Sequence, residues 1–490
     1  MPLSIATSAL VGIRGAPVEV EVDVTTGIPA VRIVGLPDTA VGEARERIRS
    51  AIRASGFTWP ARRITVNLAP ADLRKSGGSF DLAIALGILA ASGQLQLAGR
   101  SIAAVGELAL DGRVRNVPGA LPLALPLATR EDMLLLVPIE TVTELPHGAA
   151  SSARGVGSLA EAVMLLEGRS LPPRPATEAG SISAGSLSRT EADEALSDLA
   201  AIRGQPVATR AVLIAAVGRL PILLEGPPGV GKSMLARALH GLLPNLSAAE
   251  ESEVRAISSA AGLRPGGGAR PPLRMPHHDL TVAGLIGGGP RLTPGELTWA
   301  HRGLLLLDEI GEFRRDTLEA LREPLERGVV DLVRAGRSEQ FPAAALLAAT
   351  GNPCGCGELE RSDGSCLCSP SARRKGSLSI SAPIRDRFAL RVRLARSMTP
   401  LSSLPCGSVT TLAGRVRVGE ARDALPPASE RESMVERGAL GRLSESITSQ
   451  ISGRGWRHIL DVAVISALLS GRERVGESEL AEALHLTGNI

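Results

Sequence analysis

Short apolar runs alternate with amphipathic stretches along most of the chain. Residues 18–24 have an apolar side chain at every second position, as expected for a strand with one buried face, and residues 62–68 are a second candidate strand. Residues 39–54 and 81–91 have the periodicity of helices. The first 168 residues therefore predict a domain of mixed strands and helices.

Two further runs are apolar throughout. Residues 222–224 lead into a glycine-rich loop and then into a helical pattern over 234–243, whereas Leu304–Leu307 ends at two adjacent carboxylates. Runs without a polar member are typical of strands buried on both faces, as in a parallel sheet covered by helices. This order of strand, loop and helix predicts an α/β domain.

Polar stretches indicate the domain boundaries. Residues 172–188 are rich in Pro, Gly and Ser and lack an apolar period, which is typical of a linker. Another polar stretch precedes two candidate helices at 458–469 and 477–486. The predicted order is an N-terminal domain over 1–168, a linker over 169–192, a nucleotide-binding domain over 193–398, a second linker over 399–435 and a helical domain over 436–490.

Composition adds little to this organisation. The chain has 490 residues and a formal net charge of +3, so any surface that binds nucleic acid must be local. No apolar window is long enough for a membrane span, and the first residues do not resemble a signal peptide. We therefore expect a cytoplasmic protein without a membrane partner.

The glycine-rich loop has the phosphate-loop pattern G-x-x-x-x-G-K-[ST]. Glycines let successive backbone N–H groups face a polyphosphate, and the N-terminus of the following helix adds the positive end of its dipole. Lys232 can reach the β- and γ-phosphates, and the Ser233 hydroxyl can hold Mg²⁺. The predicted ATP-binding residues of the loop are Gly226, Pro227, Pro228, Gly229, Val230, Gly231, Lys232 and Ser233.

The two carboxylates after Leu307 supply the other half of the chemistry. We expect Asp308 in the Mg²⁺ shell beside Ser233, and Glu309 as the base that orients and deprotonates the attacking water. A buried strand that ends in a solvated acidic turn is the alternative interpretation. Together with the phosphate loop, the two carboxylates predict ATP hydrolysis.

Four of the five cysteines are grouped as Cys354, Cys356, Cys366 and Cys368. Clustered cysteines in a cytosolic chain indicate a metal rather than disulfides, and four thiolates suit tetrahedral Zn²⁺. Because no ligand position would remain open, such a zinc would be structural and would brace the neighbouring segment around Asn352. Four reduced thiols in a loop are the alternative.

The pair His277 and His278 is a weaker metal candidate. Adjacent side chains point apart on most backbones, and no carboxylate lies at an obvious ligand spacing. We expect packing or a subunit contact for these two histidines.

Taken together, the motifs resemble those of the ComM/YifB-type magnesium-chelatase-like AAA+ ATPases. The resemblance covers nearly the whole chain and is carried by long strings as well as by the two ATP motifs. These strings are IVGLPD at 33–38, RITVNLAPADLRK at 63–75, FDL at 80–82, PHH at 276–278, GGG at 287–289, PGEL at 294–297, NPCGCG at 352–357 with CLC at 366–368, and DR at 386–387.

The resemblance implies a ring-forming P-loop ATPase with a helical C-terminal lid, in which neighbouring subunits complete each site. It implies that Asn352 is the sensor that positions the attacking water. It also implies that Arg387 is the arginine finger that reaches a neighbour's γ-phosphate and that Arg454 is the lid arginine. Arg385 and Arg457 are close competitors for these two roles.

Two insertions are candidates for substrate contact. A Gly/Pro-rich segment over 264–296 faces the pore of the ring in the resembled family. Residues 328–341 alternate and then turn at Ala335 and Gly336, which predicts a β-hairpin flanked at its tip by Arg334 and Arg337. In related ring helicases such a hairpin contacts the DNA backbone; two solvated arginines are the alternative.

The N-terminal domain resembles the C-terminal domain of Lon proteases, which has a ribosomal-S5-domain-2-like α+β fold. Lon proteases use a Ser–Lys dyad, and Ser79 lies in a suitable loop. The dyad lysine should follow residues 106–114, where the sequence continues NVPGALP, and the lysine at Lys75 lies elsewhere. Without an amine base we expect no peptidase activity, and a role in assembly or DNA binding instead.

The function implied by the resemblance is that of an ATP-driven ring motor, in most cases a homohexamer, acting on single-stranded or branched DNA. The motor would perform branch migration or helicase action during recombination of incoming DNA in natural transformation, with recombination proteins as partners. The alternative is a magnesium-chelatase-like or other protein-remodelling chaperone that does not act on DNA.

Overall fold

A computed structural model describes most of the chain. The described residues are 3–36, 38–73, 75, 77–97, 99–130, 132–146, 151–170, 198–262, 269–289, 292–334, 337–352, 354, 366, 368–369, 380–396, 407, 409–436, 439 and 451–488. They divide into an N-terminal unit, drawn from Met1–Ser183 and Ser247–Gly268, and a C-terminal unit, drawn from Ala184–Leu246 and Ala269–Ile490. No helix among the described residues is long and apolar enough to cross a membrane.

The N-terminal unit is built on a mixed sheet. Its strands are β1 Leu3–Val11, β2 Arg14–Thr25, β3 Ala30–Val34, β4 Arg63–Ala69, β5 Ser101–Ala104, β6 Glu107–Leu108, β7 Val114–Arg115, β8 Met133–Pro138 and β9 Ala153–Val156. Seven of them form one sheet in the order β3-β4-β2-β1-β5-β8-β9, in which β2 runs antiparallel to both β1 and β4. Strands β6 and β7 form a separate pair.

The predicted alternation over residues 18–24 lies in β2, where Val18, Val20 and Val22 are buried. Strand β4 alternates in the same way, so both strands bury one face. The predicted helices over 39–54 and 81–91 are confirmed with the same bounds. The helices of this unit are Thr39–Ala54, Asp81–Ala91, Ala120–Ala128, Ile139–Glu144, Leu159–Leu166 and Ala248–Ala260.

The last of these helices lies far from the others in sequence, within the predicted nucleotide-binding domain. It begins at a capping box formed by Ser247 and Glu250. At its other end the Ser259 carbonyl accepts a hydrogen bond from the Gly119 N–H, and the Ser259 hydroxyl accepts one from the Leu121 N–H. These bonds satisfy free N–H groups at the start of Ala120–Ala128, so the segment packs in the N-terminal unit.

The C-terminal unit contains a five-stranded sheet that is parallel throughout, as predicted for this part of the chain. The order is β11-β14-β17-β10-β18, with β10 Ile222–Glu225, β11 Leu273–Arg274, β14 Leu304–Leu307, β17 Leu346–Gly351 and β18 Leu390–Arg393. All four leucines of β14 are fully buried. The remaining strands are the pair β12 Gly287–Gly288 and β13 Thr293–Pro294 and the antiparallel hairpin β15 Val329–Arg334 and β16 Arg337–Pro342.

Helices cover this sheet and extend beyond it. They are Pro206–Gly218, Lys232–Leu242, Val282–Ile286, Glu296–Trp299, Arg315–Glu319, Arg322–Arg327, Ala382–Arg385, Thr411–Asp423, Gly453–Leu469 and Glu477–Thr487, with 3-10 turns at Leu199–Ala201, Ile310–Glu312 and Arg431–Met434. The last two helices contain the predicted stretches 458–469 and 477–486. One buried cluster joins their apolar residues to those of the sheet strands.

Helix Thr411–Asp423 lies inside the stretch predicted as a second linker. Thr410 caps its first turn, and Asp198 accepts hydrogen bonds from the N–H and hydroxyl of Thr411. Only Gly414, Val418 and Ala421 are buried. Because so few residues of this helix are buried, the segment has no clear apolar period, and the sequence alone predicts a linker.

Candidate nucleotide site

The phosphate loop connects β10 to helix Lys232–Leu242. A side chain at Gly226 would place its Cβ 2.4 Å from the Leu394 carbonyl oxygen, so only glycine fits there. Gly229 and Gly231 have φ values of 80° and 94°, in the left-handed region that favours glycine. The pattern of glycines in the motif therefore matches the backbone path of the loop.

Lys232 lies within the loop that it is expected to serve. Its Nζ donates to the carbonyls of Gly226 at 2.7 Å and Pro227 at 2.8 Å, and to Asn352 Oδ1 at 3.0 Å. The side chain is only 8% exposed. Burial lowers the pKa of the lysine, against the opposing charges of Asp308 and Glu309.

Asp308 follows β14 and accepts two hydroxyl donors. Ser233 Oγ lies 3.0 Å and 3.2 Å from its two carboxylate oxygens, and Thr350 Oγ1 donates to Oδ1. A serine hydroxyl and a carboxylate are both oxygen ligands that suit Mg²⁺. The structure therefore brings together the two residues expected to hold that ion.

Glu309 begins the 3-10 turn Ile310–Glu312 in an unusual backbone conformation. Its φ and ψ are both 53°, in the left-handed region that a residue with a side chain rarely adopts. The Glu309 N–H donates to Thr350 Oγ1 at 3.0 Å. A single hydroxyl on β17 thus contacts both residues of the acidic pair.

These residues come from the carboxyl ends of three neighbouring strands. The phosphate loop follows β10, Asp308 and Glu309 follow β14, and Asn352 follows β17. Parallel strands place these ends along one edge of the sheet, where α/β proteins bind ligands. The sequence predicts the individual residues, and the strand order β14-β17-β10 explains why they converge.

The residues predicted as the arginine finger and the lid arginine lie together in a separate cluster. Arg387 donates to one oxygen of Glu326 at 2.9 Å, and Arg454 donates to the other at 2.8 Å. Arg454 also contacts Asp386 at 3.2 Å. The hydrogen bonds and charge of Arg387, with the charge of Arg454, lower the pKa of Glu326. The sequence does not reveal this shared carboxylate.

Two residues near the loop were missed by sequence reasoning. Thr350 contacts both acidic residues from β17, and Arg396 donates to the Pro228 carbonyl at 3.2 Å. Neither belongs to a contiguous motif. Thr350 lies two positions before Asn352, but only the pairing of β14 with β17 places it beside Asp308.

Three of the four grouped cysteines lie among the described residues. The sulfur atoms of Cys354, Cys366 and Cys368 lie within 4.8 Å of one another, and the first two are buried. The Cys354 and Cys366 sulfurs are 3.7 Å apart. Cys356 lies outside the described residues. Three converging thiols meet the spatial requirement for a thiolate metal site.

The expectation that His277 and His278 point apart is wrong. Their ring centroids are 4.1 Å apart, and both reach the Asp279 carboxylate, at 3.3 Å and 3.8 Å. All three side chains are exposed to solvent to a considerable degree. The loop conformation after β11, rather than the sequence spacing, brings these side chains together.

The hairpin predicted over 328–341 is confirmed as β15 and β16. Arg334 ends β15, its side chain is exposed, and Arg337 lies opposite it in register. The exposed Val333 precedes Arg334 near this end of the hairpin. The tip therefore presents one apolar and one described basic side chain to solvent.

In the N-terminal unit, Lys75 is completely buried. Its Nζ donates to the Pro70 carbonyl, and burial lowers its pKa. Ser79 is also buried, and its carbonyl accepts a hydrogen bond from Gly106. The Lys75 amine is thus committed to a backbone partner, in keeping with the expectation that it is not a dyad base.

Comparison with known proteins gives matches over both units. The family model described as magnesium chelatase, subunit ChlI, matches residues 198–400, and a second, described as subunit ChlI of Mg-chelatase, matches residues 20–141. Competence protein ComM of Haemophilus influenzae is 36% identical over 513 residues, covering 99% of this chain and 97% of its own length.

Two further relatives are similar over nearly their whole length. YifB of Escherichia coli is 36% identical over 504 residues, covering 99% of this chain and 97% of its own. An uncharacterized protein of Mycobacterium tuberculosis is 38% identical over 504 residues, covering 97% and 96%.

Proposed function

The chain belongs to the ComM/YifB family of magnesium-chelatase-like proteins, and on that premise we propose that it is a Mg²⁺-dependent ATPase whose substrate is DNA. The observation that carries the ATPase proposal is the convergence at one sheet edge of Lys232, Ser233, Asp308 and Asn352. Glu309 directly follows Asp308, and its N–H donates to Thr350 Oγ1.

Each residue has a role in this proposal. The phosphate loop binds ATP through backbone N–H groups, with Lys232 on the β- and γ-phosphates. Ser233 and Asp308 hold Mg²⁺, which neutralises charge on the phosphates when bound. Glu309 takes the proton of the attacking water, and Asn352 positions that water.

We place the active form in a homohexameric ring. Arg387 supplies the arginine finger to a neighbouring subunit, and Arg454 acts from a helical lid over 436–490. The proximity of both arginines to one carboxylate supports a joint role, because a bound phosphate presents similar anionic oxygens. The N-terminal unit, with a Lon-C-terminal-like fold, assists assembly or DNA binding and has no peptidase activity.

The proposed reaction is branch migration or helicase action in the cytoplasm during recombination of incoming single-stranded DNA, together with recombination proteins. The name of one relative similar over nearly its whole length, competence protein ComM, supports a role in the uptake of DNA. Arg334 and Arg337 on the β15–β16 hairpin are the proposed DNA contacts. Arg334 is exposed, and a basic side chain on a hairpin suits a sequence-independent phosphate backbone.

A second candidate function is remodelling of a protein client without DNA. It is favoured by the family models, whose descriptions are those of magnesium-chelatase subunits. The phosphate-loop chemistry would be the same, so only the effect of the substrate on turnover separates the two candidates.

The test is the steady-state ATPase rate of the full chain, alone and with single-stranded or forked DNA. We expect strong stimulation by DNA, and loss of stimulation with retained basal rate in Arg334→Ala/Arg337→Ala. Turnover that ignores DNA would favour the remodelling function. Glu309→Gln should bind ATP but hydrolyse it about 10²-fold more slowly; normal turnover would remove Glu309 from the mechanism.

We also propose a structural Zn²⁺ at Cys354, Cys366 and Cys368, with Cys356 supplying the fourth thiolate. The three described sulfurs support it by their proximity. Elemental analysis of the purified chain should give about one zinc per subunit, and Cys354→Ser should lower it while Cys406→Ser should not. Equal zinc in both variants would place the metal elsewhere.

A further inference from the structure

Thr350 lies at the centre of the acidic pair without belonging to any recognised motif. It is part of β17, two residues before Asn352, and its side chain is only 1% exposed. Its hydroxyl accepts a hydrogen bond from the Glu309 N–H at 3.0 Å and donates one to Asp308 Oδ1. One buried hydroxyl therefore links the two residues that follow β14 to the neighbouring strand β17.

The direction of these bonds follows from the groups involved. A backbone N–H can only donate, so the Thr350 oxygen must accept from Glu309. The single hydroxyl proton is then available for Asp308, whose ionised carboxylate only accepts. This arrangement uses the single hydroxyl proton of Thr350 and fixes its rotamer between the two partners.

The contact with Glu309 stabilises an unfavourable backbone. Glu309 has φ and ψ of 53°, in the left-handed region where its Cβ crowds the backbone. Such a conformation persists only where surrounding contacts hold it. Thr350 supplies one of these contacts at the N–H of the strained residue itself.

The contact with Asp308 has a second consequence. Ser233 is the other hydroxyl on this carboxylate, at 3.0 Å. If Ser233 turns toward a bound Mg²⁺, Thr350 remains as a donor that keeps Asp308 in its rotamer. A carboxylate held in this way presents its free oxygen to the ion without prior reorganisation.

We propose that Thr350 is a positioning residue that sets both the metal-facing carboxylate of Asp308 and the backbone of Glu309. The proposal rests on the ATPase function proposed above. Thr350 acts through its two neighbours and does not itself touch substrate. This positioning role requires the hydroxyl, so valine, which has the same shape but no hydroxyl, cannot replace Thr350.

The test compares Thr350→Val, Thr350→Ser and a matched control, Thr298→Val. Thr298 is also fully buried, and among the described residues its hydroxyl has no hydrogen-bond partner. Thr350→Val should lower kcat about tenfold with little change in ATP affinity. Thr350→Ser should restore most of the rate, and Thr298→Val should behave as wild type.

A readout independent of hydrolysis is Mn²⁺ affinity in the presence of ADP, measured by electron paramagnetic resonance. Thr350→Val should weaken Mn²⁺ binding several-fold, while Thr350→Ser and Thr298→Val should not. If wild type shows no ATPase activity yet Mn²⁺ binding falls in Thr350→Val alone, the proposed function fails and the positioning role stands.

The opposite pattern overturns the inference. If wild type hydrolyses ATP and Thr350→Val matches it in both kcat and Mn²⁺ affinity, Thr350 has no positioning role. An equal loss in Thr350→Val and Thr298→Val would also refute it, because it would reflect a general packing effect. Should Thr350→Val fail to fold, the same comparison between Thr350→Ala and Thr350→Ser decides.

Discussion

Two of the arginine–carboxylate contacts among the described residues, one in each unit, differ sharply in their surroundings. In the N-terminal unit, Arg47 donates to both oxygens of Asp81, at 2.9 Å and 3.2 Å. In the C-terminal unit, Arg387 and Arg454 donate to the two oxygens of Glu326, at 2.9 Å and 2.8 Å. The bonds are nearly the same in length, but Asp81 is fully buried and the Glu326 side chain is 55% exposed.

The pKa values of the two carboxyl groups are shifted in opposite directions. Burial raises the pKa of Asp81 to about 6, although Arg47 and the Leu108 N–H oppose the rise. The hydrogen bond and charge of Arg387, with Arg454, lower the pKa of Glu326. Removal from water is therefore decisive for Asp81, whereas the guanidinium partners are decisive for Glu326.

This difference separates a structural contact from an exchangeable one. Arg47 and Asp81 join two helices in the interior, and neither can leave without a large desolvation cost. The Glu326 side chain is 55% exposed, although that of Arg387 is only 14% exposed, and an ion pair with one exposed partner contributes little to stability. Arg387 and Arg454 can accept another anion in place of Glu326, as a phosphate-binding role requires.

The largest effect is expected from Arg387→Ala. Loss of an arginine finger should lower ATP turnover about 10³-fold while nucleotide binding is retained, because only the transition state is affected. Steady-state turnover and fluorescent-nucleotide binding would measure the two quantities. Wild-type rings mixed with this variant should lose more activity than their composition predicts.

Arg327→Ala is the matched control for that experiment. Arg327 is likewise held by carboxylates, Glu323 and Asp331, although its side chain is 47% exposed against 14% for Arg387. The substitution Arg327→Ala should leave ATP turnover unchanged. Equal losses in both variants, or activity in mixed rings proportional to wild-type content, would show that Arg387 does not act in trans.

The next effect concerns pH and Asp81. Between about pH 4 and 6 the unfolded chain releases the Asp81 proton while the folded chain keeps it, since the folded pKa is about 6. The stability contributed by this carboxyl therefore falls as pH rises through that window and is constant above it. The free energy of unfolding of wild type, relative to Asp81→Asn, should be higher at pH 4 than at pH 7 by on the order of 2 kcal/mol.

Urea unfolding would measure this difference in a background where Trp59 is the sole tryptophan, after Trp299→Phe and Trp456→Phe. Trp59 lies in the N-terminal unit and reports its transition. A difference between wild type and Asp81→Asn that does not change with pH would mean that the folded pKa is not raised, and a difference that increases with pH would mean that Arg47, not burial, governs the carboxyl.

The smallest effect is expected from Glu326→Gln. Since the carboxylate is exposed, its removal should not measurably change the thermal midpoint, and turnover should fall less than about fivefold as the two arginines lose a shared counter-ion. Differential scanning fluorimetry and the ATPase assay would measure both. Glu323→Gln on the same helix is the control, and a large drop in the midpoint would show that the cluster is structural.

Part of this protein could be predicted from the sequence because the signals are local. The phosphate loop is contiguous, two of its glycines, Gly229 and Gly231, have left-handed backbone angles, and the buried run Leu304–Leu307 ends directly at Asp308. The helices over 39–54 and 81–91 and the hairpin around Arg334 also follow from local periodicity and turn chemistry.

The rest depends on contacts between residues distant in sequence. Helix Ala248–Ala260 packs in the N-terminal unit because Ser259 caps a helix more than a hundred positions earlier, and helix Thr411–Asp423 buries too few residues to produce a clear pattern. The stacked pair His277 and His278 depends on a loop conformation that residue spacing does not encode.

The chemical groups of the candidate site can be identified without the fold, since a phosphate loop and an acidic strand end are defined by neighbouring residues. Which of these groups contact one another depends on how the strands pair. The order β14-β17-β10 places Thr350 between Asp308 and Glu309 and Asn352 against Lys232. Glu326 likewise meets Arg387 and Arg454 only after folding, because strand pairing and helix packing join segments that periodicity describes one at a time.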